Sequence, residues 1–294
     1  MNPLILWIIA FTVLGGVLSV LAAAAFLLLP ERLRARLLSP MVSFAIGTLL
    51  GAAFLAILPH AFETPGIDAH TIMLTVLCGI LVFFLLEKMV IWRHCHIDDC
   101  DVHGSTNVAG GGMPGATDVH GSAAIPGEGG TESKGLPLPD MDDVRRKATG
   151  NLILIGDGIH NMVDGVLIAA AFLTDIRLGV VTSIAVIAHE IPQELGDFAI
   201  LLHSGYSRSR ALIYNILTSL TTVMGGVVAY FSLSLANQLV PYVLAVAASS
   251  FIYISVADLI PGLHKRPEFS ATLQQIMLIA CGIGVISIMQ AMLH

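Results

Sequence analysis

Charge is what this sequence has least of. Only 12% of its 294 residues are charged, against roughly 25% in an average soluble domain, and no Lys or Arg precedes Arg32. The shortage excludes water as the main solvent of the chain, in keeping with 55% hydrophobic residues and a mean hydropathy of +0.84. Cysteine is scarce too. Of the four, Cys78 and Cys281 sit in apolar runs while Cys95 and Cys100 share one polar loop, which excludes a disulfide framework. The apolar run from Pro3 to Leu29 lacks a basic leader and is too long for the core of a signal peptide, so it is read as a retained span. The formal net charge of −7 says little, because the acids gather in one loop and in two apolar helices.

What is present is length in apolar runs. About 20 apolar residues cross a hydrocarbon core of roughly 30 Å, since an α-helix satisfies its own backbone where no water can. Eight stretches qualify: Leu4 to Leu29, Pro40 to Leu58, Thr71 to Trp92, Asn151 to Leu173, Leu178 to Leu202, Ala211 to Leu235, Leu239 to Ile260, and Thr272 to Leu293. Basic residues orient them, because short loops rich in Lys and Arg stay in the cytoplasm. Of the 14 basic residues only Arg177 falls outside the alternate connections. The fold class is therefore all-α and integral to the membrane, with eight transmembrane helices and both termini outside. Residues 1–93 hold helices one to three, and 151–294 hold helices four to eight of the same membrane domain.

Between them, residues 94–150 read as a cytoplasmic loop rich in His, Asp and Gly, with too few large apolar side chains to build a core, and so as disordered. The loop opens HCHIDDCDVHG. His94, Cys95, His96, Cys100 and His103, with three aspartates among them, suit weak, exchangeable binding of zinc-like ions, whereas the CxxC and HxxxH spacings of a fixed tetrahedral site are absent. A solvated acidic linker is the competing reading.

Spans four and five carry the chemistry. In NLILIGDGIHNMVDGVLIAAAF, Asp157, His160, Asn161 and Asp164 stand at i, i+3, i+4 and i+7, on one helical face. In TSIAVIAHEIPQELGDFAILL, Glu190, Glu194 and Asp197 repeat i, i+4, i+7, and His189 and Gln193 edge the same surface. An ionisable side chain at membrane depth costs at least a few kcal/mol, so such groups face a bundle interior and pair with something. No Lys or Arg lies in either stripe. A cation is the missing partner. Imidazole with carboxylate suits Zn2+, Fe2+ or Mn2+, whereas Ca2+ and Mg2+ sites lean on oxygen alone. Pro192 removes one backbone hydrogen bond from span five, which predicts a kink beside the stripe. His60 and Glu63 close span two at its outer boundary, and Asp258 lies near the other end of span seven.

Three functions fit these residues. One is transmembrane transport of a divalent ion. Another is an intramembrane metalloprotease, to which His189-Glu190 points, although the HExxH signature needs a second histidine where Gln193 stands. The third is a metal sensor or exchanger that does not transport in this way.

At HNMVDG and HEIPQELGD the sequence resembles the ZIP family of zinc- and iron-type transporters, which carries H-N-x-x-D/E-G in span four and H-E-x-P-x-E in span five. The likeness extends to the AIGTLLGAAFLAILPHAFE stretch of span two, and GDFAILLHSG looks like the branch of intracellular-membrane zinc transporters and their bacterial relatives. The resemblance implies a 3+2+3 bundle in which spans one to three and six to eight are inverted repeats around spans four and five. It also implies import of Zn2+ into the cytoplasm, with Fe2+, Mn2+ and Cd2+ as alternatives, through His160, Asn161, Asp164, His189, Glu190 and Glu194. It points to a bacterial member in the inner membrane. The partners expected are divalent ions and the lipid bilayer, with no nucleic acid and no resident cofactor; a homodimer is one arrangement left open. Two departures stand out: Thr222 of LTSLTTVMGG occupies about the position where several bacterial members place a glutamate that helps hold a second metal, and Asp164 stands where some relatives have Glu.

Overall fold

A polypeptide backbone in hydrocarbon has to satisfy its own polar groups, and this chain does so entirely as helix, with no strand among the described residues. The computed structural model describes residues 3–98, 141–264 and 268–293. They form eight long helical segments: α1 (Pro3–Phe26), α2 (Glu31–Phe62), α3 (Ala69–Asp98), α4 (Met141–Thr174), α5 (Ile176–His203), α6 (Arg208–Leu235), α7 (Asn237–Leu263) and α8 (Phe269–Leu293). Seven of the eight apolar stretches lie within one of them, and the first, Leu4 to Leu29, runs past the end of α1 at Phe26 into the turn before α2. Seven are long and apolar enough to cross a membrane; α5 has the length but carries its polar stripe.

Several helices outrun their apolar stretches. α2 begins at Glu31, so Arg32, Arg34 and Arg36 are helical rather than loop residues. α4 begins at Met141 and α3 reaches Asp98, so helix extends into both ends of the segment read as a disordered loop. Hydropathy marks where hydrocarbon stops, not where the helix does. Turns are compact: Asp175 alone separates α4 from α5, and its carboxylate caps α5 by accepting from the backbone N–H of Arg177 at 2.7 Å. Gly205, at a φ of +88°, makes the left-handed turn from α5 into α6 that a Cβ would strain.

Two helix pairs set the frame. α4 packs along α6, where a Cβ on Gly165 would overlap the backbone of Thr222 and one on Gly225 the backbone of Met162. α2 packs along α8, where a Cβ on Gly282 would lie 2.5 Å from the Phe44 carbonyl oxygen. Small residues bring backbones this close in a bilayer, where dispersion rather than water drives helices together. α5 lies between the pairs, against α1 and α4 on one side and α2 on the other, and continues as helix through Pro192. α3 packs on α7. Three helices contain a π-helical stretch, Leu14–Leu18 in α1, Ala52–Ile57 in α2 and Ile254–Leu259 in α7, a geometry frequent at functional sites.

Candidate metal-ion site

The polar stripes of α4 and α5 face one another in the interior. Asp164 and Glu194 are fully buried, His189 and Glu190 nearly so, while His160 keeps 23% of its side chain accessible. His160, Asp164, His189 and Glu190 each offer one ligand atom to a group whose members all lie within 4.8 Å of one another. His189 Nε2 is 3.2 Å from Asp164 Oδ2 and 3.7 Å from Glu190 Oε1. His160 Nε2 is 3.4 Å from Glu190 Oε1 and 3.9 Å from Asp164 Oδ2. The two Nε2 atoms are 3.4 Å apart.

The imidazoles are set for ligation. His189 lies 3.1 Å through Nδ1 from the Ala185 carbonyl; with the proton there, Nδ1–H donates to that oxygen and the Nε2 lone pair points to the carboxylates. Such a backbone partner is what commonly fixes the tautomer and ring of a metal-bound histidine. Phe251 of α7 packs edge-on against the same ring, with centroids 6.2 Å apart, and keeps that side apolar. The buried oxygens of Asp164 and Glu190 have no hydrogen-bond donor. Leaving such groups unmet is costly, and no Lys or Arg occurs in α4 beyond Lys147 or in α5 beyond Arg177. Two imidazole nitrogens and two carboxylates converging without a fixed positive charge have the chemistry of a divalent transition-metal site.

Other expected ligands lie apart from this group. Asn161 is buried but turned aside: its Nδ2 donates to Asp157 Oδ1 at 2.7 Å, and its Oδ1 accepts from Thr222 Oγ1 at 2.9 Å. Glu194 is buried, with neither oxygen meeting a donor. Gln193 and Asp197 are half-buried. At the mouth of α2, His60 lies 2.8 Å through Nδ1 from the Ala56 carbonyl, and Glu63 is exposed. Asp258 is exposed, and the nearby Tyr253 hydroxyl donates to Glu87. His94, Cys95 and His96 fall in the last turns of α3, where only the backbone is described, and Cys100 and His103 lie outside the described residues. Two partners had no signal in the spacing. Thr222, noted only for not being a glutamate, holds Asn161, and Asn215, a lone amide in the apolar run of α6, is buried with an unpaired oxygen. An amide at that depth is the mark that could have singled it out.

Comparison with known proteins bears on what such a bundle does. The family model described as ZIP zinc transporter matches residues 3–290. Similar proteins include zinc transporter ZIP13 of Gallus gallus, 32% identical over 85% of this chain and 73% of the relative. The ZIP13 homolog of Drosophila melanogaster is 30% identical over 86% and 78%, and ZIP13 of Homo sapiens is 31% identical over 84% and 69%. These relatives are named as zinc transporters, not as enzymes, and a multi-pass integral membrane protein is the form that the apolar helices and these matches share. Matched over nearly its whole length, the chain belongs to the ZIP zinc transporter family.

Proposed function

We propose that the chain carries Zn2+ across the membrane into the cytoplasm, with His160, Asp164, His189 and Glu190 as the ligands of the ion in transit. The observation that carries this reading is the convergence of those four ligand atoms within 4.8 Å, from two helices, in a membrane-embedded interior that supplies no counter-charge. The relatives' names add zinc as the ion; Fe2+, Mn2+ and Cd2+ suit the same donors.

In this reading all eight helices span, α5 included, and both termini face outward, since the basic residues fall at alternate connections. The inverted 3+2+3 arrangement gains support from a device common to α2 and α7. Each has a six-residue π-helical stretch followed, two residues on, by proline: Ala52–Ile57 with Pro59, and Ile254–Leu259 with Pro261. A partly dehydrated ion enters from outside, binds between α4 and α5, and leaves inward when one helix group shifts against the other, as transport sites between repeats commonly allow. The cargo coordinates only deprotonated ligands, so protons compete with it. These three relatives are eukaryotic proteins and give no support to a bacterial inner membrane as the host.

Zinc flux into proteoliposomes tests the proposal. His160→Ala and Glu190→Ala are expected to abolish uptake, while unimpaired flux in both variants would overturn the ligand assignment. A protease reading has no second histidine at Gln193 to rest on.

A further inference from the structure

The face of α5 that turns away from His189 and Glu190 is apolar and incompletely covered. Ile184, Ile187, Ala188 and Ile191 stand at i, i+3, i+4 and i+7 on that helix, and with Met41 and Phe44 of α2 they line a groove of about 310 Å3. All six are half-buried, and none is polar. Along α2 the same face continues toward the helix N-terminus. Arg34 precedes Met41 by seven residues and Phe44 by ten, so it lies on their side of the helix, about 15 Å from Phe44 at a rise of roughly 1.5 Å per residue. Exposed Leu37 and Leu38 fill the interval. That length is the depth of one leaflet, half of a hydrocarbon core of roughly 30 Å. Arg34 itself is half-buried, and its Nε is buried without an acceptor.

A guanidinium is always charged and carries donors only, so it needs an anion where water is scarce. Among the described residues no carboxylate pairs with Arg34. We propose that the groove between α2 and α5 binds an anionic glycerophospholipid, with one acyl chain lying along Met41, Phe44, Ile184 and Ile191 and the phosphate on the Arg34 guanidinium. Arginine meets phosphate through paired, charge-assisted hydrogen bonds, and a membrane lipid joins such a phosphate to an apolar chain that begins at headgroup depth. A helix from a second copy would cover the groove and leave Arg34 unanswered. Arg32, Arg34 and Arg36 mark this end of α2 as the one that the distribution of basic residues assigns to the cytoplasm, and the cytoplasmic leaflet is where anionic lipids gather. The groove follows the seam where α5 meets α2, on the far side of α5 from the metal ligands. Its occupation therefore requires nothing of the ion site, and the inference goes beyond the transport reading.

Native mass spectrometry of the full-length protein, purified in detergent and titrated with phosphatidylglycerol or phosphatidylcholine, supplies the test. Wild type is expected to retain phosphatidylglycerol over phosphatidylcholine by about fivefold, the worth of one basic residue beside anionic lipid. Arg34→Gln should erase that preference. Arg36 lines a small polar cavity with Ser39, Ser43, Gln274 and Gln275 where α2 meets α8, and Arg36→Gln should keep it. Filling the groove with Met41→Trp or, independently, Ile184→Phe should weaken retention of both lipids about tenfold, the equivalent of roughly two acyl CH2 groups left unburied. Zinc binding by isothermal titration, unchanged in each variant, marks a folded protein. Equal retention of the two lipids by wild type, an unchanged preference in Arg34→Gln, or unchanged retention in both groove variants overturns the proposal. So does a dimer mass that the groove variants abolish, since the occupant would then be a second copy. His160→Ala should keep the wild-type preference, so failure of the transport reading and failure of the lipid site give different results.

Discussion

α5 and α8 are similar in length, 28 and 25 residues, and opposite in where they keep their polar atoms. α8 has no charged residue, buries only Gly282 and Ile286, and turns Leu273, Ile276, Met277, Ile288 and Met292 outward. α5 carries His189, Glu190 and Glu194 and buries all three against α4 and its neighbours. In water such polarity would face out; in hydrocarbon it must face in, because only protein or a bound ion can meet it there. How apolar a helix is reports how much lipid it sees. The composition of α5, too polar to stand with the other seven, is thus a consequence of its central place.

The largest effects should come from removing what α5 buries. His189→Ala or Glu190→Ala is expected to lower zinc uptake by more than the roughly 10–100-fold that loss of a partner one shell out from a metal costs. Met277→Ala, on the lipid face of α8, should leave the rate unchanged. Equal losses in both helices, measured as flux per correctly folded protein, would erase the contrast.

Putting polarity where α8 has none comes next. Cys281 is exposed at the middle of that helix, and Cys281→Lys is expected to cost about 2.5–3.5 kcal/mol in a membrane-insertion assay, with Cys281→Leu close to neutral. Smaller again is the effect of crowding its one packed face. Gly282→Val forces a side chain against the Phe44 carbonyl and should destabilise by about 1–3 kcal/mol in thermal melts, whereas a Cβ at Gly284 meets nothing within 4 Å and Gly284→Ala should be silent.

The same physics explains what could be read in advance. A bilayer crossing needs a long apolar run, so each of the eight stretches marks a helix, and the i, i+3, i+4, i+7 offsets put Asp157, His160, Asn161 and Asp164 on one face before any coordinates exist. The remainder depended on partners distant in sequence. Helix ends at Glu31 and Met141 lie where the side chains are already polar, so hydropathy passes over them. The π-helical stretches change hydrogen-bond register without changing composition. Spacing placed Asn161 beside His160 and could not foresee that Thr222, 61 positions on, would claim its oxygen.

That last contact yields the smallest and most discriminating prediction. Thr222→Val keeps the side-chain shape and deletes the donor to Asn161 Oδ1, at a cost of about 0.5–1.5 kcal/mol for a buried hydrogen bond. If Asn161 serves to hold Asp157, the loosened pair should slow zinc flux a few-fold while zinc affinity at the His160–Asp164–His189–Glu190 group stays as it was. If Asn161 were a ligand restrained by Thr222, the same change would free its oxygen and tighten zinc binding. Isothermal titration on the variant separates the two: tighter binding returns Asn161 to the ion, and unchanged affinity with slower flux keeps it as the brace between Thr222 and Asp157.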